Sequence, residues 1–558
     1  MNKTTVLKRR SKLILALALV MVLVLAMVAG CGGGGGGGGA ATTTGVAETT
    51  AATTAAAAET TAATTSAGAA AEAQGAASDL DYVELTFLLL GDPPTDAKTV
   101  EDAINEKLME KLNCKISIQN PTWTDWNQKY RNELIAGTVD MLYTASWGDY
   151  VIYANEGAFL ELDDLLVSAV PDLKARVDSQ LDMMRVKGTI YAVPNLWPEY
   201  ECKGLMYRED LRKNLSLPVP NTLENLEEYL LGVQANDPEQ ILISYGYVEP
   251  TTVGNYFLMF DAFNMKYDWI SLGYGYWYSY ANPTVTVDYW YSQDFIDDSK
   301  LIKKWCDYGF WSRSCLSEVV PEFPVELGIM VAHVSGQNPN KFSEAIPRIE
   351  KDNPDWELEY FAYGEVNGGS VYPAHARQNA TAIARTCKNP DRALQVVEYI
   401  MLDQEMHNLF HYGIEGVHYE MKDDIYYNLS PSGATEAFKY EGYNSWNLRN
   451  GEYKLSRPSD PVLNEIFDRL DAIAAKCKYP RVNIESGFQE DYTDYVAERT
   501  AVINVMAEYL APIQAGLVSD VEASIAEFLS RAESAGLQTC RENYDKQYKE
   551  YLEEFGYN

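Results

Sequence analysis

Trp147 and Asp149 stand two residues apart in Ser146-Trp147-Gly148-Asp149-Tyr150, at the end of the apolar stretch Val139–Ser146. Aromatic rings with polar neighbours recur as Trp197 and Glu201 in PNLWPEYECKG, Tyr276 and Trp277 in DWISLGYGYWYSYANP, Tyr372 and His375, and Trp446 in YNSWN. Flat rings beside Asp, Glu, Asn and Arg suit a ligand with C–H bonds on its faces and hydroxyls at its edge, as in a saccharide. Packing competes with that role at each position. Five Tyr or Trp residues in the seven positions 274–280 read equally well as core or as a surface ribbon.

Bond-making chemistry has less support. The chain holds no GxSxG, HExxH, GxxxxGK[ST] or EF-hand pattern. His occurs five times; His407 and His411, four apart, would share a helix face as a metal pair, but no acidic third ligand accompanies them. A surface glycoside hydrolase would need two carboxylates flanking a bond, and among 80 acidic residues some such pair arises by number alone. Apart from Cys31, the cysteines are Cys114, Cys202, Cys306, Cys315, Cys387, Cys477 and Cys540. They are scattered and odd in number, with no CxxC, so neither a disulfide framework nor a zinc site is indicated. No cofactor and no metal are expected.

These side chains need elements to position them. VELTFLLLG (Val83–Gly91) reads as a buried strand and Asp92-Pro93-Pro94-Thr95-Asp96 as the turn after it. Val100, Ile104, Leu108 and Leu112 mark one face of a helix ending near Asn113, and CKISIQ (Cys114–Gln119) alternates as a second strand. A helix carrying Trp126, Tyr130 and Leu134 and the strand Val139–Ser146 follow. This alternation predicts an α/β fold with parallel strands whose ligands meet their carboxyl ends, at Gly91-Asp92 and at Ser146–Tyr150.

The order of the segments GDPPTDAKTVEDAINEKL, VDMLYTASWGDYVIYANEGAFLELDDLL, KGTIYAVPN and LMYREDL resembles the extracellular solute-binding proteins of ABC importers, the maltose-binding family. The family's G-x-L-x-x-L segment is matched by Gly157–Leu162, with Phe159 in place of the first Leu. Pro218–Thr222, Asn379–Ile383 and Asn389–Ala393 extend the likeness, and HNLFHYGIEGVHYE and YNSWNLRN resemble Gram-positive lipoprotein members with an extra C-terminal segment. The resemblance implies an α/β, two-lobed periplasmic-binding-protein-like fold whose hinge strands close over a ligand in the cleft and present it to a membrane permease. Lobe one would be 80–197 plus 372–430, and lobe two 203–368 plus 431–558. It also implies ligand contacts at Trp147 and Asp149, at Asp92 in the loop after the first strand, and at Glu201 in the hinge. Trp197, Tyr276, Trp277, Tyr372, His375 and Trp446 are the further candidates. The expected solute is an oligosaccharide, with peptides or other polar solutes as the alternative. The chain itself would act as a monomer and perform no reaction, ATP hydrolysis belonging to the permease's partner subunits. A static surface scaffold would have no use for the hinge segments.

The beginning of the chain supports export. Lys3, Lys8, Arg9, Arg10 and Lys12 precede 17 residues of Leu, Ile, Val, Ala and Met, Leu13–Ala29. Val28-Ala29-Gly30-Cys31 resembles a lipobox, so residues 1–30 are expected to be a signal peptide and Cys31 to carry the lipid anchor; two acyl chains hold stably where one is marginal. Eight glycines and an Ala/Thr tract fill 32–78. Almost nothing there is larger than Ala, so 31–79 reads as a flexible linker with a reach of about 38 Å. Loss of the five leading basic residues takes the net charge from −35 to −40, a surface that repels nucleic acid and favours neutral or cationic ligands.

Overall fold

In the computed structural model the described residues are 80–557, apart from 123–124, 198–199, 201–203, 241, 244–264, 268, 280–281, 318–324, 326–330, 338, 340–341, 344, 347–348, 350–352, 368–370, 372, 430–439, 441, 443–444, 476–483 and 485–486. Cys31, Glu201 and Tyr372 lie outside them. Among the described residues no helix is long and apolar enough to cross a membrane.

Strand Val83–Leu88, helix Ala97–Leu112 and strand Cys114–Gln119 form the expected unit, with the strands parallel and Val83 level with Cys114. Val100, Ile104 and Leu108 are buried on the helix's inner face, and Asn113 ends it in the left-handed conformation (φ 44°). Strand Met141–Thr144 pairs parallel to the first, and Ala380–Ile383 pairs antiparallel to it, followed by Ala192–Pro194. The five-stranded sheet therefore uses one strand from far along the chain. Its faces are covered by the first hydrophobic core, built from residues between Val83 and Val193 and again from Ala376 to Leu448.

A second sheet centres on Gly204–Arg208, flanked antiparallel by Ala332–Gln337 and Leu358–Ala362. Gly204 has no alternative: a Cβ there would sit 2.3 Å from the Phe361 carbonyl oxygen and 2.5 Å from the Tyr360 ring. Overpacking against backbone is not relieved by a rotamer change. Gly204→Ala is expected to lower unfolding stability by about 2 kcal/mol, read as a lower denaturation midpoint; an unchanged midpoint would mean that the strand pair has room to shift.

The aromatic run folds as an antiparallel meander of Trp269–Ser271, Tyr276–Ser279 and Asn282–Asp288. It packs in the second core with helix Gln293–Tyr308 and the C-terminal helices Val496–Val505, Val521–Ser534 and Leu537–Glu554. Three chain segments run side by side beyond the first sheet: Tyr200 bridges Pro373 antiparallel, and Leu196 bridges Asn450 parallel.

Candidate functional site

The strand Met141–Thr144 is fully buried and runs into a 3₁₀ turn, Ser146–Gly148. The Ala145 carbonyl closes this turn by accepting from the N–H groups of Gly148 (3.0 Å) and Tyr150 (3.1 Å). Asp149 then adopts φ 63°, a conformation costly for a residue with a Cβ, and helix Tyr150–Asn155 begins. The turn lifts Trp147 out at the carboxyl edge of the sheet, where the residue stays 43% exposed.

The ring is braced from behind. Trp147 Nε1 donates to the Gln378 carbonyl (3.1 Å), the Trp126 ring meets it edge-on at 5.9 Å, and the Tyr143 ring lies tilted at 5.6 Å. Tyr143 in turn contacts Trp446 edge-on at 6.2 Å, and its hydroxyl donates to Asn379 Oδ1. Trp446 opens the short turn Trp446–Leu448, fixed by two amides: Asn447 Nδ2 donates to Thr381 Oγ1, and Asn195 Nδ2 donates to the Trp446 carbonyl (3.0 Å). Asn195 Oδ1 accepts from the Trp197 N–H (3.2 Å), and the Arg449 guanidinium lies 5.4 Å from the centre of the Trp197 ring. Three of the expected residues, Trp147, Trp197 and Trp446, are thus linked through one network at one sheet edge. Asp92 is exposed in the turn after the neighbouring strand Val83–Leu88, whose carboxyl end points to the same edge.

Others lie elsewhere. Trp277 is buried in the second core, 4.7 Å edge-on from Tyr289, and Tyr276 carries the Arg541 guanidinium over its ring at 4.2 Å. Their partners come from the turn Tyr289–Tyr291 after the meander and from helix Leu537–Glu554, which supports packing for both. His375 is 1% exposed; its Nδ1 accepts from the Arg377 N–H (3.2 Å) and its Nε2 lies 3.3 Å from the Tyr551 hydroxyl. Burial and the Arg377 charge hold it neutral, well below the usual histidine range. Asp149 is turned inward, accepting from Gln489 Nε2 at 2.8 Å, and burial raises its carboxyl above the ordinary range. Trp126, Tyr143, Asn195, Gln378, Asn379 and Arg449 complete the network without having been singled out. Tyr143, four residues before Trp147 in a strand too apolar for a hydroxyl, was the available signal.

His407 and His411 share a face of helix Gln404–Tyr412, with ring centres 4.3 Å apart. Their nitrogens serve the loop before and after Trp446: His407 Nε2 accepts from the Asn450 N–H (3.1 Å), while His411 meets the Leu448 carbonyl (3.3 Å) and Ser445 Oγ (3.4 Å). Among the described residues no group of three or more His, Cys, Asp or Glu is gathered to hold a metal ion.

Comparison with known proteins places this edge in context. Residues 91–313 match the model of the bacterial extracellular solute-binding proteins, and 485–553 match a domain of unknown function, DUF3502. A carbohydrate ABC transporter substrate-binding protein of Streptococcus pneumoniae serotype 4 (strain ATCC BAA-334 / TIGR4) is 20% identical over 487 residues, 86% of this chain and 92% of that protein. Lipoprotein LipO of Bacillus subtilis (strain 168) is 21% identical over 58% of this chain and 65% of its own length. Among solved structures, the N-glycan transport solute binding protein of S. pneumoniae in complex with Man1GlcNAc superposes with a TM-score of 0.63 at 17% identity, covering 84% of this chain and all of that one. The chain therefore carries the bacterial extracellular solute-binding domain in the two-lobed α/β fold of such proteins, and is a homologue of carbohydrate ABC transporter substrate-binding proteins.

Proposed function

We propose that this chain is a lipid-anchored binding protein that captures an oligosaccharide outside the cell and delivers it to an ABC permease, without catalysing a reaction. The lobes would be those expected from the resemblance, with solute contacts at Trp147, Trp197 and Asp92 from the first of them and at Trp446 from 431–558, the stretch given to the second, and with Cys31 as the anchor. The observation that carries the reading is the half-exposed Trp147 ring, braced by Trp126, Tyr143 and the Gln378 carbonyl at the carboxyl edge of the sheet. Such an edge offers a rigid aromatic stacking face with the exposed Asp92 in the turn after the neighbouring strand, a combination suited to the faces and hydroxyls of a sugar. The relatives support it: one is a carbohydrate transporter component, one is a lipoprotein, and one was solved with Man1GlcNAc.

The test is thermal unfolding of the full chain with Man1GlcNAc, with acidic oligosaccharides and with peptides. A solute at a hundred times its Kd adds about 2.7 kcal/mol to stability, enough to raise Tm by a degree or more. Stabilisation by saccharides alone supports the reading. Stabilisation by peptides alone replaces the solute class, and cleavage of a saccharide during the assay replaces the binding role with an enzymatic one.

A further inference from the structure

The C-terminal segment that matches the domain of unknown function belongs to the second core, yet its first described residues hold the seat of Trp147. Phe488 faces the second core, edge-on to Tyr544 and Tyr548 at 5.2 Å each. Its neighbours face the other way. Gln489 spans the turn after Trp147: its Oε1 accepts from the Val151 N–H (2.8 Å) and its Nε2 donates to Asp149 Oδ1 (2.8 Å). The Gly487 carbonyl accepts from Nη1 of Arg377 (3.1 Å), a guanidinium 2% exposed between the rings of Tyr551 (5.5 Å) and Phe555 (5.7 Å). Arg377 is followed by Gln378, whose carbonyl receives the Trp147 indole. A Cβ at 487 would lie 2.4 Å from the Tyr551 hydroxyl and 2.5 Å from His375, so the backbone approaches as only glycine permits. Besides the Trp126 and Tyr143 rings, the indole is held by the turn 146–151 and the stretch 375–378, and these two are gripped from residues 489 and 487.

We propose that Gln489 is a positioning residue for solute binding, and that the C-terminal segment sets solute affinity by fixing the orientation of Trp147 from the second core. The assignment rests on Trp147 being a solute contact. A primary amide suits the position because Asp149 offers an acceptor and Val151 a donor; a hydrocarbon satisfies neither, and a carboxylate satisfies only the second. The other groups around Asp149 are Arg499 from helix Val496–Val505, Tyr130 and Arg131 from helix Trp126–Ala136, and Glu156, Tyr153 and Tyr492.

The experiment compares the full-length wild type with Gln489→Leu and Gln489→Glu. Man1GlcNAc affinity is measured by calorimetry at pH 7.5 and 5.0, and amide hydrogen exchange of residues 147–153 without sugar. Gln489→Leu should weaken binding at least tenfold and speed exchange at 147–153. Gln489→Glu should do the same at pH 7.5, where two carboxylates oppose each other. At pH 5.0 a proton on that pair restores an O–H donor toward Asp149 while the other oxygen still accepts from Val151, so affinity relative to wild type at that pH should recover. Wild-type affinity and exchange in Gln489→Leu, or the same relative affinity of Gln489→Glu at both pH values, overturns the proposal. If Gln489→Leu does not fold, the pH recovery of Gln489→Glu decides. If the wild type does not bind Man1GlcNAc, the saccharide reading has failed for this probe; exchange then decides the positioning role, faster exchange at 147–153 upholding it and unchanged exchange removing it.

Discussion

Replacing Trp147 by alanine is expected to weaken saccharide binding about a hundredfold, equivalent to about 2.7 kcal/mol, while leaving the protein folded. The two effects separate because of where the ring sits. Its inner edge rests on Trp126, Tyr143 and the Gln378 carbonyl, but the residue is 43% exposed, so truncation leaves a surface notch and no closed cavity. A sugar stacked on that face would lose its platform, and an aromatic centre of this kind carries a large share of a binding free energy. Calorimetric titration of the variant with whichever saccharide stabilises the wild type measures it. An affinity within a factor of three of wild type would remove Trp147 from the site and with it the observation on which the proposed function stands.

Legibility of this molecule from its sequence follows the range of the interactions. The unit Val83–Gln119 could be read because each instruction is local: the four-residue spacing of Val100, Ile104 and Leu108, the alternation of CKISIQ, and an Asn able to take φ 44° at the helix end. Trp147 could be placed because a buried strand ending in a short polar turn predicts its own carboxyl edge. The aromatic run at 274–280 could not be assigned the same way. A strand with Tyr276 and Trp277 on it has the same composition whether it faces a ligand or a helix, and here Arg541 and Tyr289 arrive to cover it. His375 is hidden for a related reason, since its burial is imposed by Tyr551, 176 residues away. Gln489 had no sequence signal at all; its significance comes from Asp149 and Val151, some 340 positions earlier.

Acid should weaken the turn that presents Trp446, and His407 is the group through which it acts. His407 Nε2 accepts from the Asn450 N–H, so the ring proton resides on Nδ1; a second proton on Nε2 would set N–H against N–H in a buried place. Burial, opposed by the Asn408 side chain and reinforced by the Arg449 charge, lowers its pKa to about 4. In the unfolded chain it titrates near 6.5. Because the folded value is the lower one, the unfolded state binds the proton first. The stabilising difference is fully present above pH ~6.5 and is lost as pH falls toward 4, by about 2 kcal/mol between pH 7 and 4.5. His411, held in the same direction by burial, by the charge His407 would gain on protonation and by Arg449, adds to the loss. Asp298 acts against them: burial raises its carboxyl to about 6, so folding gains from its protonation over the same range. A melting curve of the wild type alone would mix these signs. His407→Gln isolates the term, since the amide oxygen can still accept from the Asn450 N–H but does not titrate. Relative to this variant the wild type should lose about 2 kcal/mol from pH 7 to 4.5, and its exchange protection at 445–450 should fall in parallel. A stability difference between the two proteins that stays constant with pH would show that His407 is not the group that gates the Trp446 turn.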